Sequence, residues 1–286
     1  MQTLKGVRHL MTSATMKQAV TEFNMPVPWG EIRGKVWGPD HGRPILCLHG
    51  WADNCGTFNT LIPLLPKALQ WKRFSIIGHS MGGNVAGMFS ALYPEMVDSV
   101  VLLDSYGFLP TDAKELHTVI RQGFEGMLEF EKKKDEKVYT YENALMRLLA
   151  ANPSLLEQSA HILLERGLAQ VEGGVVFTRD IRINLKNVVR VSLEQSLELQ
   201  SRIQARVLVV LAEEGFEKMF SEPQQKIFTS TLLLGYKEQS GMVVNVPGDH
   251  HVHLNTPETV AQLITDFLQK EAPSHSTAED TQAAKL

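Results

Sequence analysis

The sequence predicts an α/β fold: a mostly parallel sheet carrying a helical lid. Three observations lead there. Five short, unbroken apolar runs are spaced along the chain, "RPILCLHG", "FSIIGHS", "DSVVLLDS", "ARVLVVLAEE" and "GMVVNVPG". Most of them are separated by segments with helical periodicity. Between Tyr106 and Gln200 the apolar residues recur at helical spacing with no buried run among them. Continuous apolar runs suit strands covered on both faces, and parallel strands need crossovers that helices supply.

From the N-terminus, residues 1–19 carry Lys5, Arg8 and Lys17 without an acid and read as a flexible tail. "VTEFNMPVPWGEIRGKVWG" alternates around Trp29-Gly30 and predicts an antiparallel hairpin. "RPILCLHG" is the first buried strand, and "TFNTLIPLLP" reads as the start of a helix. "FSIIGHS" runs directly into "MGGNVAGMFSALYP", a helix that Pro94 must end. After the third strand, "EFEKKKDEK" (Glu129 to Lys137) is a solvated charged face. "ENALMRLLAANPSLLEQSAHILLERG" is two amphipathic helices broken at Asn152-Pro153 and stopped by Gly167. The lid therefore covers about 106–200, inside a domain spanning 20–270. Val260, Leu263, Ile264 and Phe267 form one face of a last helix opened by Pro257. Residues 271–286, rich in Ser, Ala and Thr, read as a second flexible tail.

With 28 Lys+Arg against 32 Asp+Glu and no basic stripe, the chain gives no electrostatic reason to bind nucleic acid. A small-molecule substrate is the expectation. Cys47 and Cys55 are too few for a disulfide framework and read as free thiols. No apolar run reaches the length of a membrane span.

Gly78-His79-Ser80-Met81-Gly82 fits G-x-S-x-G between a buried strand and a helix, so Ser80 is the expected nucleophile. The glycines allow a turn tight enough to lift the hydroxyl off the sheet. Acyl transfer also needs amide donors where an oxyanion forms, and the backbone N–H groups of Met81 and Trp51 are the natural pair. His49, which closes the first strand, then shapes the loop and is not the base. A base is offered by "VPGDHHVHLNTPE", with His250, His251 and His253 as candidates. The H-x-x-H spacing within it lacks a nearby carboxylate or Cys, so neither a metal nor another cofactor is expected.

These motifs in this order resemble the α/β-hydrolase superfamily. "MPVPWGEIRGKVWG", "ILCLHGWADNCGTFNTLIPLLP", "GHSMGGNVAGMF", "YPEMVDSVVLLDS" and "VPGDHHVHLNTPE" further resemble its serine hydrolase-like branch, from about Val20 to Gln269. The resemblance implies that the base is His250, seven residues before Pro257. His253 is then near the site without a required role. For the acid it leaves two positions. One follows "VLVVL", where Gly215 stands and Glu213 and Glu214 are nearby; the other follows "VVLL", where Asp104 stands. Asp104 is preferred and Glu214 is the alternative.

The same resemblance exposes a shortfall. Only 22 residues, Ala52 to Arg73, separate Trp51 from Phe74. The helix, strand and helix of the superfamily need roughly 40 to 50 residues there. The chain thus has the pattern of an internal deletion near Lys67-Ala68, such as alternative splicing gives, lacking one central strand and its adjoining helix. Two outcomes are open: the first helix changes face, or the sheet keeps a gap between the hairpin and "PILCLHG".

The expected function is a serine hydrolase of ester, thioester or amide bonds acting through an acyl-enzyme. The alternative is a non-catalytic, shortened hydrolase-fold protein that binds a ligand or partner. Ala284-Lys285-Leu286 resembles the S-K-L signal, which points to the peroxisomal import receptor as a partner and to a peroxisomal and cytoplasmic location.

Overall fold

The computed structural model describes residues 20–28, 30–38, 44–65, 73–132, 137–220 and 223–269. In chain order these form β1 (Val20–Val27), β2 (Gly30–Trp37), β3 (Ile45–Leu48), β4 (Phe74–His79), α1 (Met81–Leu92), β5 (Val97–Leu103) and α2 (Leu116–Lys132). Then come α3 (Tyr141–Ala151), α4 (Glu157–Gly167), β6 (Leu168–Val171), β7 (Gly174–Phe177), α5 (Leu193–Ser201) and β8 (Arg206–Glu214). The chain continues through α6 (Pro223–Glu238), β9 (Met242–Asp249), the single turn α7 (Val252–Asn255) and α8 (Glu258–Gln269).

The five apolar runs form one parallel sheet in the order β3-β4-β5-β8-β9. Side chains alternate faces along each strand. Ile77, Val101, Leu103, Leu208 and Val210 point to one side, where Val260, Ile264 and Phe267 of α8 cover them. Ile76, Val100, Leu102 and Val209 point to the other, under Ala86 and Ala91 of α1 and Leu232 and Tyr236 of α6. Each such side chain stabilises the fold by about 1.5 to 3 kcal/mol when fully buried. Helix α1 presents Gly82, Gly83, Ala86, Gly87, Ser90 and Ala91 to the interior, so its backbone lies close on the strands.

Three elements depart from the sequence expectation. "TFNTLIPLLP" does not begin an α-helix: it makes two 3₁₀ turns, Cys55–Phe58 and Ile62–Leu64, with Pro63 inside the second. Pro63 brings no backbone donor, and a run this short cannot repay the cost of nucleating an α-helix. Within the block at 106–200, β6 and β7 pair as a small antiparallel hairpin turned by Glu172-Gly173. Helix α5, in that same block, packs against α1 and α6, so it belongs to the body of the sheet and not to the lid.

The hairpin β1-β2 forms as expected, with Val27 opposite Gly30, but as a sheet of its own. Among the described residues neither strand pairs with β3, which lies at the edge of the parallel sheet. Val20, Phe23, Met25, Ile32 and Val36 of the hairpin and Leu46 of β3 stay exposed. α1, α5 and α6 all pack on one face of the sheet. Phe58, Leu61 and Leu65, which follow β3, pack on the other, the α8 face. Lys67-Ala68 and both predicted tails lie outside the described residues.

Candidate active site

Ser80 sits between β4 and α1 with φ 51° and ψ −116°, a strained backbone that a side chain tolerates only when its surroundings enforce it. The enforcement is close packing. A Cβ on Gly78 would strike the carbonyl of Gly82, and one on Gly82 would strike the carbonyl of Leu48. The second contact also sets the start of α1 against the loop after β3, where Trp51 lies. Ser105 Oγ donates to the Ser80 carbonyl at 2.9 Å and holds the turn from below.

Three predicted residues meet here. Ser80 Oγ lies 3.0 Å from His250 Nε2, and His250 Nδ1 lies 2.6 Å from Asp104 Oδ2. Because the carboxylate only accepts, Nδ1 carries the hydrogen and Nε2 is left to receive the serine proton. Asp104 is buried, with φ 42°, and its carboxylate also accepts from the amides of Ala212 at 3.0 Å and Phe216 at 2.6 Å. The Phe216 ring stacks on the His250 imidazole at 5.3 Å between centroids.

Glu214 is placed elsewhere: it faces solvent at the end of β8 and lies 3.5 Å from Lys218. The two acid positions exclude each other. A Cβ at Gly215 would collide with both carboxylate oxygens of Asp104. A side chain after β8 and a carboxylate after β5 cannot share that space, and the glycine leaves it to Asp104.

Of the two expected oxyanion donors, Met81 opens α1, where first-turn amides have no partner within the helix. Trp51 follows Gly50 in a turn closed by Asp53 N donating to the Gly50 carbonyl at 3.2 Å. Its indole Nε1 donates to the Ile183 carbonyl at 2.7 Å, which ties this loop to the lid. Ile183 also borders a cavity of about 540 Å³ walled by Met127, Phe130, Leu185 and Val188, with Glu131, Arg182 and Lys186 also lining it. Ser80 and His250 are not among its walls. His49 Nδ1 donates to the Gly50 carbonyl at 2.9 Å, a loop-shaping contact.

Beneath the triad lies a group that no linear motif announces. His79, His251 and His253 are buried together with Asp53. The H-x-x-H segment thus has a carboxylate beside it after all, brought from the loop after β3. Among the described residues, however, no group of three His, Cys, Asp or Glu is placed to hold a metal ion. His253 is not a loop residue at the rim: its Nε2 lies 2.9 Å from Thr57 Oγ1 and its ring packs on His79. Burial pushes the Cys47 thiol up to about 12, so it stays protonated and inert. No helix among the described residues is long and apolar enough to cross a membrane.

Residues 67–144 match the family model described as alpha/beta hydrolase fold. The chain is 50% identical to the "Serine hydrolase-like protein" of Danio rerio over 315 aligned positions, which cover 96% of each chain. It is 34% identical to human "Serine hydrolase-like protein 2", over 87% of this chain and 94% of the human one. The first alignment is longer than the 286 residues of this chain, so it crosses positions that the chain lacks. Among solved structures, the hypothetical protein PA1622 from Pseudomonas aeruginosa PAO1 superposes with a TM-score of 0.74 at 24% identity, over 86% of this chain and 99% of that one, a likeness of fold.

Proposed function

We propose that this chain, which belongs to the serine hydrolase-like branch of the α/β-hydrolase superfamily, cleaves an ester, thioester or amide of a small molecule through an acyl-enzyme. The observation that carries the reading is the hydrogen-bonded line Ser80–His250–Asp104, with the serine on a strained turn at the head of a helix. In the proposed course Ser80 Oγ attacks the substrate carbonyl while its proton passes to His250 Nε2. Asp104 holds the imidazole and stabilises the charge it gains. The amides of Met81 and Trp51 face the oxyanion. His250 then returns the proton to the leaving alcohol, thiol or amine, and the acyl group stays on Ser80. Water, deprotonated by the same imidazole, releases the acid and restores the serine.

The test is covalent labelling by a fluorophosphonate probe together with hydrolysis of p-nitrophenyl acetate. The parent is expected to label and turn over, and Ser80→Ala to do neither. No labelling of cooperatively folded parent protein would instead favour a non-catalytic binder. That second reading draws its support from the unpaired edge of β3.

The proposal extends to location. Ala284-Lys285-Leu286, outside the described residues, resembles the S-K-L import signal. An N-terminally tagged chain is expected in puncta together with a peroxisomal marker, and the same chain without the tripeptide is expected to be diffuse. Puncta that survive the truncation would remove the idea.

A further inference from the structure

His79, the residue between Gly78 and Ser80, is fully buried, and one of its ring nitrogens meets an acceptor. Its Nε2 lies 2.8 Å from the backbone carbonyl of His250, and its Nδ1 lies 3.6 Å from Asp53 Oδ2. A carbonyl can only accept, so Nε2 carries a hydrogen and donates it. Asp53 is almost as deeply buried, and the same carboxylate oxygen is 3.5 Å from His251 Nε2. Asp53 Oδ2, His79 Nδ1, His251 Nδ1 and His253 Nδ1 all lack a hydrogen-bond partner, so the unsatisfied polar atoms of this region gather on one cluster behind the triad. Space has been kept for it: a Cβ on Gly50 would lie 2.6 Å from His79 Nδ1.

The carbonyl of His250 is a meaningful place to hold. The imidazole of His250 already meets Asp104 and Ser80, and its ring centroid is 4.7 Å from that of His79. Asp249 Oδ1 takes the amide of His251 at 2.7 Å, and the carbonyl of His251 accepts from Leu254 and Asn255 to start α7. The peptide between these two anchors, the one bearing the base, is fixed by His79.

We infer that His79 is a positioning residue for the base: its ring donates to the backbone carbonyl of His250 and so keeps that imidazole in line between Ser80 and Asp104. This inference rests on the serine-hydrolase reading for its kinetic consequences, though not for its geometry. Loss of the His79 donor misplaces a reacting group, which lowers the rate of the chemical step and leaves ligand binding alone. Burial lowers the His79 pKa, so the ring is neutral, keeps its hydrogen on Nε2 and turns a bare Nδ1 towards Asp53 without a hydrogen bond.

The experiment uses the full chain and follows fluorophosphonate labelling in the parent, His79→Leu and His79→Gln. His79→Leu is expected to lower the maximal labelling rate on the order of 10²-fold with unchanged probe affinity. His79→Gln, which keeps an N–H donor, should recover most of that loss. Parent-like labelling by His79→Leu, or no recovery in His79→Gln, overturns the assignment. If His79→Leu does not melt cooperatively, His79→Phe, which keeps a ring without the donor, takes its place. A parent that never labels would defeat the hydrolase reading and leave this one testable. The downfield proton resonance of the His250 Nδ1–H shared with Asp104 should weaken in His79→Leu and return in His79→Gln. A resonance unchanged in His79→Leu overturns it.

Discussion

The two sides of the sheet follow different rules. On the side of β5, β8 and β9 the two inner strands have neighbours on both flanks, the edge strand β9 packs on α6 and α8, and the buried carboxylate of Asp104 has a donor for each oxygen. On the other side β3 pairs only with β4, and the hairpin beyond it is held by the bidentate contact of Arg166 with Glu22 of β1. The lesson is that a candidate site can be assembled from one half of a sheet while, among the described residues, the hairpin stays unpaired with the other half. Nothing in Ser80, His250 or Asp104 requires the strands beyond β3. The loop bearing Trp51 does border that open edge.

The largest expected effect comes from closing the edge. A strand and helix of the superfamily's usual length inserted at Lys67-Ala68 should pair with β3 and cover Leu46, which is exposed in this chain. Four newly buried apolar side chains at about 1.5 to 3 kcal/mol each approach the whole stability of a domain. The lengthened chain is expected to unfold at a clearly higher temperature and to hydrolyse p-nitrophenyl acetate faster. Equal melting and turnover of the two forms would show that the short chain has no deficit, and the contrast between the two sides would lose its energetic meaning.

Next in size is the acid. Asp104→Asn keeps the shape but leaves the His250 Nδ1 hydrogen without its anion, and turnover should fall by up to ~10⁴-fold. Glu214→Gln, exposed and paired only with Lys218, should leave turnover within about twofold, since an exposed pair contributes little. The opposite ranking would move the acid to the end of β8. Gly215→Ala sharpens the same point at smaller magnitude. Its Cβ would crowd the Asp104 carboxylate, with an overpacking cost of about 1 to 3 kcal/mol. The measured loss should appear in the maximal rate more than in KM.

How far all this was legible in the sequence depends on the range of each contact. Ser80 could be read because a tight strand-to-helix turn is encoded within five neighbouring residues. His250 needed the resemblance, since three histidines share its segment. The acid stayed open because its position is a competition between the ends of β5 and β8. Gly215 was the available clue, but a glycine signals empty space only once one knows what fills it. Asp53 and His79 went unread as a pair: their partners His250 and His251 lie more than 170 positions away along the chain, and no periodicity records such a meeting. The five buried strands were plain as apolar runs, whereas β6-β7 hid behind strands of four residues, the first of them largely exposed, despite its Glu172-Gly173 turn.

The smallest effect tests the hairpin itself. Arg166 of α4 holds Glu22 through both carboxylate oxygens, at 2.7 and 2.8 Å, and this is what ties β1-β2 to the lid among the described hydrogen bonds. Glu22 is on an exposed strand, so the contact is screened by solvent and adds little to global stability. Its effect should be local: opening of the hairpin is governed by its own few contacts and not by the core under α1 and α8. Glu22→Gln is therefore expected to leave the melting temperature and ester hydrolysis unchanged while the amides of β1 and β2 exchange faster with deuterium. If exchange in the hairpin keeps pace with β5 in both parent and variant, the hairpin is bound into the same cooperative unit as the site. The sheet would then have closed its gap by contacts other than strand pairing.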